Sequence, residues 1–465
     1  MRILLISLLP DSHRNLSCLT LYAVAANAGH EVALLFIPDR TVYSEQHLSA
    51  FLSENRYDAV GLSVMTSDFY FAKDITGIIG KYLPKSRIIW GGIHPTCLPE
   101  ESLGVVDYIC RGEGEEVIVH WLASLEKQES VSYLPGLGIR KSDGSIQLND
   151  LYPLIENLDD IPWNRYDWEN YYLLDGQGVH RFGMTDYIQY SKHNGDGYTT
   201  MASRSCPFTC AYCINSFIKK LYHSKGTIRR RSVDHVIAEL KYAKESIPTV
   251  RFINFIDDHF LTSSQWTEEF CEKYRAEIHL PFLIRSSPDA LTEMNVKMLK
   301  HAGIVAVQTG IQSGSERTHR LIFNRPFRRE AIIKASNTLK RHAVLPIYDV
   351  IIENDFENDE DRDETLKLLM HLDRPYELNI FVLTPFPKTD IMDKYIASGI
   401  HPRIDPYTSG YLDYDQSDYY YQMASVMPYI PLWVGRLLYR YRGRRARLIL
   451  KYYYKIIKKR LRNVS

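Results

Sequence analysis

The feature that most constrains this 465-residue chain is a strand–helix alternation that runs twice along its length. The first series covers residues 1–125. "RILLISLL", "EVALLFI", "AVGLSVMT", "RIIWGG" and "VDYICRGEG" read as strands. "LTLYAVAANAGH", "FYFAKDITGIIGKYLP" and "EEVIVHWLASLE" between and after them read as helices. Apolar runs bounded by turn signals and separated by helical periodicity predict a parallel, doubly wound sheet, in which ligands lie beyond the carboxyl ends of the strands. Those ends are small and polar: Ser63 and Thr66, then Gly91, Gly92 and His94, then Gly112 and Gly114. Such residues suit either close approach of a ligand or tight turns. The second series starts near Tyr198. "YTTMASRS", "VRFINFID", "FLIRSS", "IVAVQTGIQ", "PIYDVIIE" and "LNIFVLTPF" read as six strands with helices between them. This predicts an incomplete barrel of the TIM type, with its chemistry at the carboxyl face.

Between the two series the chain reads as an irregular connector rich in Pro, Gly, Asp and Asn. The expected division is 1–130, a Rossmann-like domain; 131–195, the connector; 196–400, the partial barrel; and 401–465, an extension ending in a basic amphipathic helix. Lys plus Arg and Asp plus Glu are 56 each, so overall charge selects no partner. "MRILLISLLP" is too short for a signal segment and reads as a first strand. No apolar run has spanning length. The seven cysteines are odd in number and unevenly spread, which argues against a disulfide framework and for a reducing, cytoplasmic setting.

Three of those cysteines, Cys206, Cys210 and Cys213, sit together in "SRSCPFTCAYCINS". They directly follow the first strand of the second series. Structural zinc wants four protein ligands, and no second Cys or His pair follows. A disulfide would leave one thiol over. A [4Fe–4S] cluster held by three thiolates leaves one iron open to a small molecule, as an open coordination position marks a catalytic metal. Three unrelated buried cysteines are the remaining alternative.

The spacing C-x3-C-x-aromatic-C, with Tyr212 as the aromatic, resembles the signature of the radical S-adenosylmethionine (radical SAM) enzymes. In that family the open iron is chelated by S-adenosylmethionine, and one-electron cleavage of the sulfonium releases a 5′-deoxyadenosyl radical. The resemblance implies roles at further strand ends. Asp257 and Asp258 in "FIDDHF" would receive the methionine ammonium, and Arg285 its carboxylate. Gln312 and Ser313 in "GIQSGSE" would bind the ribose, with Gln312 where the family has glutamate. "TPFPKT" carries Lys388 where glycine is usual. The fifth strand end departs most, with Glu353, Asp355 and Phe356 at the family's Gly, Pro and Gly.

"GLSVMT", "GGIHPT" and "CRGEGEE" are similar to the cobalamin-binding domain that precedes the barrel in a large subfamily. On that likeness Ser63, Thr66, Gly91 and Gly92 line a slot for the nucleotide tail, and His94 and Glu113 lie near the corrin edge. "DSHRNL" has Asp11 and His13 of a cobalt-ligating motif but Leu16 in place of its glycine, so His13 reads either as a cobalt ligand or as a solvated loop histidine. The implied cofactors are a [4Fe–4S] cluster, S-adenosylmethionine and cobalamin. The implied chemistry is methyl transfer to an unreactive carbon or phosphorus. Radical oxidation or cyclisation, and a non-catalytic carrier or sensor, are the alternatives. A flavodoxin- or ferredoxin-like electron donor and a small-molecule or lipid substrate complete the expected partners, with no nucleic acid. The acid-free, aromatic-rich tail reads as a helix on an anionic membrane surface, as a terminal helix packed on the barrel, or, as a third alternative, as a helix on nucleic acid.

Overall fold

The computed structural model describes residues 1–465 except 9–14, 39, 42, 167, 191–196, 225–226, 409–417, 442–443 and 463–465; of 444–447 and 458–462 it describes the backbone. Asp11 and His13 therefore lie outside the described residues. The chain divides into two compact units, Met1–Asp196 with Ala243–Thr249, and Gly197–Tyr242 with Val250–Ser465.

The first unit is built on nine strands: β1 Arg2–Ser7, β2 Glu31–Phe36, β3 Ala59–Ser63, β4 Arg87–Gly91, β5 Tyr108–Cys110, β6 Leu137–Arg140, β7 Ile146–Leu148, β8 Tyr171–Asp175 and β9 Gly178–Arg181. Their order across the sheet is β7-β6-β5-β4-β3-β1-β2-β8-β9. The inner run β2-β1-β3-β4-β5 is parallel throughout. It has the doubly wound order whose direction reverses between β1 and β3, the position at which such sheets bind ligands. β1 is apolar and buried from Ile3 to Ile6 because both faces are covered there. The buried Trp90 of β4 donates its indole N–H to Thr76 Oγ1 at 3.0 Å, which fixes helix Phe69–Tyr82 on the sheet. Register aligns Ser7 with Ser63 and Ser63 with Gly91, so the three residues share one carboxyl edge.

The stretch expected to be an irregular connector supplies four of these strands. β6 and β7 extend the sheet antiparallel beyond β5, and β9 runs antiparallel to β8 at the opposite edge. These strands are short and lie at sheet edges, so they lack the long apolar runs that reveal a central strand.

The second unit contains β10 Gly197–Thr200, β11 Ser203–Arg204, β12 Arg229–Arg230, β13 Phe252–Phe255, β14 Phe282–Arg285, β15 Ile304–Gln312, β16 Leu345–Glu353 and β17 Glu377–Val382. β10, β13, β14, β15, β16 and β17 lie side by side in chain order and pair in parallel, as a six-stranded partial barrel requires. β11 and β12 form a separate antiparallel ribbon. The helices pack on one face. Tyr348, Val350 and Ile352 of β16 join Leu366 and Leu369 of helix Asp359–His371 in one apolar cluster. On the opposite face Asp349 joins polar residues of the neighbouring strands. Arg285 Nε donates to Gln308 Oε1 (3.1 Å), Gln308 Nε2 to both oxygens of Asp349 (3.0 Å), and Asn379 Nδ2 to Asp349 Oδ1 (2.8 Å). A parallel sheet covered on both faces would read apolar throughout. This one carries a hydrogen-bonded polar row across four strands on its concave face.

The C-terminal helices Tyr419–Val426, Leu432–Arg440 and Arg444–Arg462 belong to this unit. Leu450 is buried, and Tyr453, Tyr454 and Ile457 pack against the cluster that holds Tyr421, Met423 and Met427. One face of the last helix is thus docked on the barrel. No described helix is long and apolar enough to cross a membrane.

Candidate active site

The cysteine loop follows β10 and the residues of β11. Its backbone groups have specific partners. Cys213 N–H donates to Cys210 O (3.0 Å), and Ser216 Oγ donates to the same oxygen (2.8 Å). Lys219 Nζ donates to Phe208 O. Segments from far downstream close over the loop. Ala211 N–H donates to Phe323 O and Ile391 N–H to Ala211 O, both at 2.8 Å, while Asn324 Nδ2 donates to Thr209 O at 3.1 Å. The Tyr212 ring meets Phe323 edge to face with centroids 4.9 Å apart. A loop held at this many points keeps its side chains in place, as a site on a rigid frame must.

Cys206, Cys210 and Cys213 are free thiols. Burial raises the pKa of Cys206 and pushes that of Cys213 up to about 12; Asp258 and Cys210 add to both shifts, and Cys206 adds to that of Cys213. Cys206 and Cys213 therefore lie within electrostatic reach of each other, of Cys210 and of Asp258. Metal binding would have to displace their protons. Among the described residues no three His, Cys, Asp or Glu side chains converge at single-ion spacing. Three soft thiolate donors in one clamped loop are the ligand type of an iron–sulfur cluster.

The neighbouring carboxylates face different ways. Asp257 is wholly buried. It accepts from Ala202 N–H at 3.0 Å and from the Ser203 hydroxyl, so it ties β13 to the start of the cysteine loop. Asp258 accepts one hydrogen bond from Asn215 Nδ2 (2.9 Å), and burial raises its pKa against the pull of Asn215, Arg285 and Lys219. Asp258 is the member of the pair that sits by the thiols. Gln312 and Ser313 diverge in the same manner. Gln312 is partly exposed in the left-handed region (φ 57°). Ser313 is fully buried; its hydroxyl donates to Glu357 Oε1 (2.8 Å) within a cluster that includes Thr318 and Thr365. Burial pushes the Glu357 carboxyl up to about 7. Ser313 thus organises the turn behind the site, because the left-handed residue at Gln312 ends the strand and turns the next side chain into the interior.

Ser286 Oγ, Asn354 Nδ2 and His259 Nδ1 follow three different strands and are buried without a hydrogen-bond partner among the described residues. Burial pushes the His259 imidazole down to about 4, so it is neutral. Unsatisfied buried polar atoms are costly unless a ligand or water meets them. Together with the Arg285 guanidinium, which lies within electrostatic reach of Asp258, they fit a polar ligand such as S-adenosylmethionine. Arg325 escaped the sequence reading. It lies beyond the π-type turn Thr318–Phe323, and its Nη1 donates to Cys210 Sγ at 3.3 Å.

In the first unit the strand-end loops lace together. Val64 N–H donates to Gly91 O (2.8 Å), His94 N–H to Val64 O (3.1 Å), and Gly112 N–H to Thr96 Oγ1 (3.1 Å). Gly92 has φ 99°, and a Cβ there would stand 2.9 Å from Val64 O, so the close approach needs glycine. Ser63 and Gly91 end adjacent strands, and a Cβ on Gly91 would meet only Cys110 Cβ at 3.7 Å. This shallow edge of small residues fits the tail of a nucleotide-bearing cofactor. Thr66 and His94 sit deeper than the resemblance implied. His94 is fully buried, 3.4 Å from Thr66 Oγ1 and 3.6 Å from Glu101. Burial holds its pKa at about 4, so it is a neutral core residue bracing the slot from beneath. Glu113 accepts Ile155 N–H at 3.0 Å and anchors the following segment.

Comparison with known proteins converges on the same two halves. The Radical SAM superfamily model matches residues 201–369, and the B12 binding domain model matches residues 1–122. An uncharacterized methyltransferase of Pyrococcus horikoshii is 27% identical over 350 residues, 74% of this chain and 70% of that protein. The anaerobic magnesium-protoporphyrin IX monomethyl ester cyclase of Synechocystis is 24% identical over 332 residues, 70% of this chain but 61% of the cyclase's length. The radical S-adenosylmethionine methyltransferase TsrM of Kitasatospora setae, solved with cobalamin and a [4Fe–4S] cluster, superposes with a TM-score of 0.70 at 14% identity, over 85% of this chain and 75% of TsrM. The cysteine loop and most of the six-stranded partial barrel thus fall in the stretch that matches the Radical SAM superfamily, and the inner parallel run of the doubly wound sheet in the stretch, earlier in the chain, that matches the B12 binding domain.

Proposed function

We propose that the chain is a cobalamin-dependent radical SAM methyltransferase acting on an unreactive carbon or phosphorus of a small molecule. The observation that carries this is the clamped loop of three thiols at the head of the partial barrel, in a chain that also has a B12 binding domain. The bound cofactors would supply one-electron cleavage of a sulfonium and a transferable methyl group. The chain's own residues hold and orient. Cys206, Cys210 and Cys213 bind iron. Asp258 receives the methionine ammonium, Arg285 its carboxylate and Gln312 the ribose hydroxyls. Ser63, Gly91 and Gly92 line the cobalamin tail slot, and Thr66, His94 and Glu113 support it. The electron comes from an external flavodoxin- or ferredoxin-like donor. The test is anaerobic reconstitution of the full chain with iron, sulfide and cobalamin, then dithionite and methyl-labelled S-adenosylmethionine. Methyl label in the extracted corrinoid, together with 5′-deoxyadenosine, is expected. Deoxyadenosine with an unlabelled corrinoid would favour radical oxidation or cyclisation.

A finer reading concerns the outer face of the C-terminal helices. Trp433 and Leu437, 69% and 49% exposed, are one helical turn apart, and Arg436 and Arg440 lie on the same face. Tyr429 and Tyr441 extend the exposed row. Residues 419–465 hold twelve Lys and Arg and no Asp or Glu. Exposed Trp and Leu among arginines, on a segment of one charge sign, match an anionic lipid surface. The protein is expected to sediment with phosphatidylglycerol vesicles and not with phosphatidylcholine vesicles, and W433A/L437A should weaken this about tenfold. Equal sedimentation of the double variant, or competition by single-stranded DNA at equal charge, would overturn the lipid assignment.

A further inference from the structure

Arg325 is placed to do more than fill space beside the cysteine loop. Its Nη1 donates to Cys210 Sγ (3.3 Å) and its Nη2 to Gly310 O (2.9 Å). Its guanidinium carbon lies 5.2 Å from the Phe208 ring centroid. Its backbone N–H donates to His319 O at 3.1 Å. The preceding Asn324 is left-handed (φ 47°) and reaches Thr209. The guanidinium is thus fixed from its backbone, from both arms of its fork and from its face. No carboxylate forms an ion pair with it among the described residues. Asp349 lies within its electrostatic reach, and the sulfur that its fork meets directly is that of Cys210.

We propose that Arg325 is a redox-positioning residue, whose fork donates a hydrogen bond to the Cys210 sulfur and so makes the cluster easier to reduce. The proposal rests on the reading that Cys206, Cys210 and Cys213 hold a [4Fe–4S] cluster. The step is the gain of one electron from an external reductant, taking the cluster from its 2+ to its 1+ state with no bond formed or broken. That electron makes an already anionic assembly of sulfides and thiolates more negative. A fixed cation donating to a ligand sulfur stabilises the product of that step more than the reactant. Lysine cannot reproduce the effect, because a single ammonium cannot span Gly310 O and Cys210 Sγ as the planar fork does.

The test is a mediated redox titration of the anaerobically reconstituted full chain without S-adenosylmethionine, reading the reduced cluster by electron paramagnetic resonance. A wild type that shows no four-iron cluster spectrum would defeat the cluster assignment itself and leave no cluster for Arg325 to act on. With the cluster present, R325Q is expected to lower the reduced-to-oxidised ratio at a fixed potential about tenfold, which is about 59 mV for a one-electron couple. R325K should lower it about threefold, and serves if R325Q does not retain iron. Equal titrations for the wild type and an iron-loaded variant would overturn the proposal. So would a shift that appears only after S-adenosylmethionine is added, since the guanidinium would then be acting on that molecule and not on the sulfur.

Discussion

Cys206→Ala, Cys210→Ala and Cys213→Ala should each lose the four-iron absorbance and reduce S-adenosylmethionine cleavage by about a thousandfold or more, a loss of about 4 kcal/mol in transition-state stabilisation. The three are equivalent because each thiolate holds one corner, and a cluster left with two protein ligands has two open irons. The loop's backbone contacts to Phe323 and Ile391 do not involve the sulfurs, so the variants should unfold at temperatures near that of the wild type. Cys271→Ala is the control. That thiol is buried on helix Ser264–Glu277, away from the loop in sequence, and its replacement should leave iron content unchanged. Iron analysis, optical spectra and quantified 5′-deoxyadenosine decide the matter. A single cluster-loop alanine variant that keeps both iron and cleavage would remove the basis of the proposed function.

The second large effect separates two adjacent residues. Asp258→Asn is expected to weaken S-adenosylmethionine binding about ten- to a hundredfold, with little change in thermal stability, because it removes the carboxylate assigned to the ammonium. Asp257→Ala should do the reverse first. It strips partners from the buried Ala202 N–H and Ser203 hydroxyl, at a cost of about 2–4 kcal/mol in folding stability. Differential scanning calorimetry and equilibrium binding on the two variants give opposite patterns. If Asp257→Asn lost affinity while Asp258→Asn bound normally, the assignment would have to be exchanged.

The strands were legible where both faces are covered. β1 and β3 carry apolar runs that no helix period explains, and the six barrel strands stand out as short, largely apolar runs that alternate with helical stretches. The cysteine triplet was legible because its spacing is chemistry as well as structure. Four things were not. β6 and β7 lie at an edge and are short, with Gly136 and Gly138 around them, so pairing and not composition defines them. The two pairs Asp257/Asp258 and Gln312/Ser313 were placed at the right strand ends, but the sequence does not say which member faces the site; that depends on the register at which each strand ends. His94 looked like a ligand-facing histidine, yet the short helix Ile93–Cys97 turns it under Phe69, with ring centroids 4.8 Å apart. Arg325 was invisible because its proximity to Cys210 arises from the fold of a turn more than a hundred positions along the chain.

The downstream grip on the cysteine loop bears on how the protein is made. The ribosome delivers Cys206–Cys213 well before Phe323, Asn324 and Ile391, and until those arrive the loop lacks the carbonyl and amide partners that set its shape. Contacts between distant parts of a chain form late, after the costly closure of the intervening loop. Iron delivery therefore belongs after barrel completion, and a nascent chain halted before Ile391 would present three loose, oxidisable thiols instead of a receptacle.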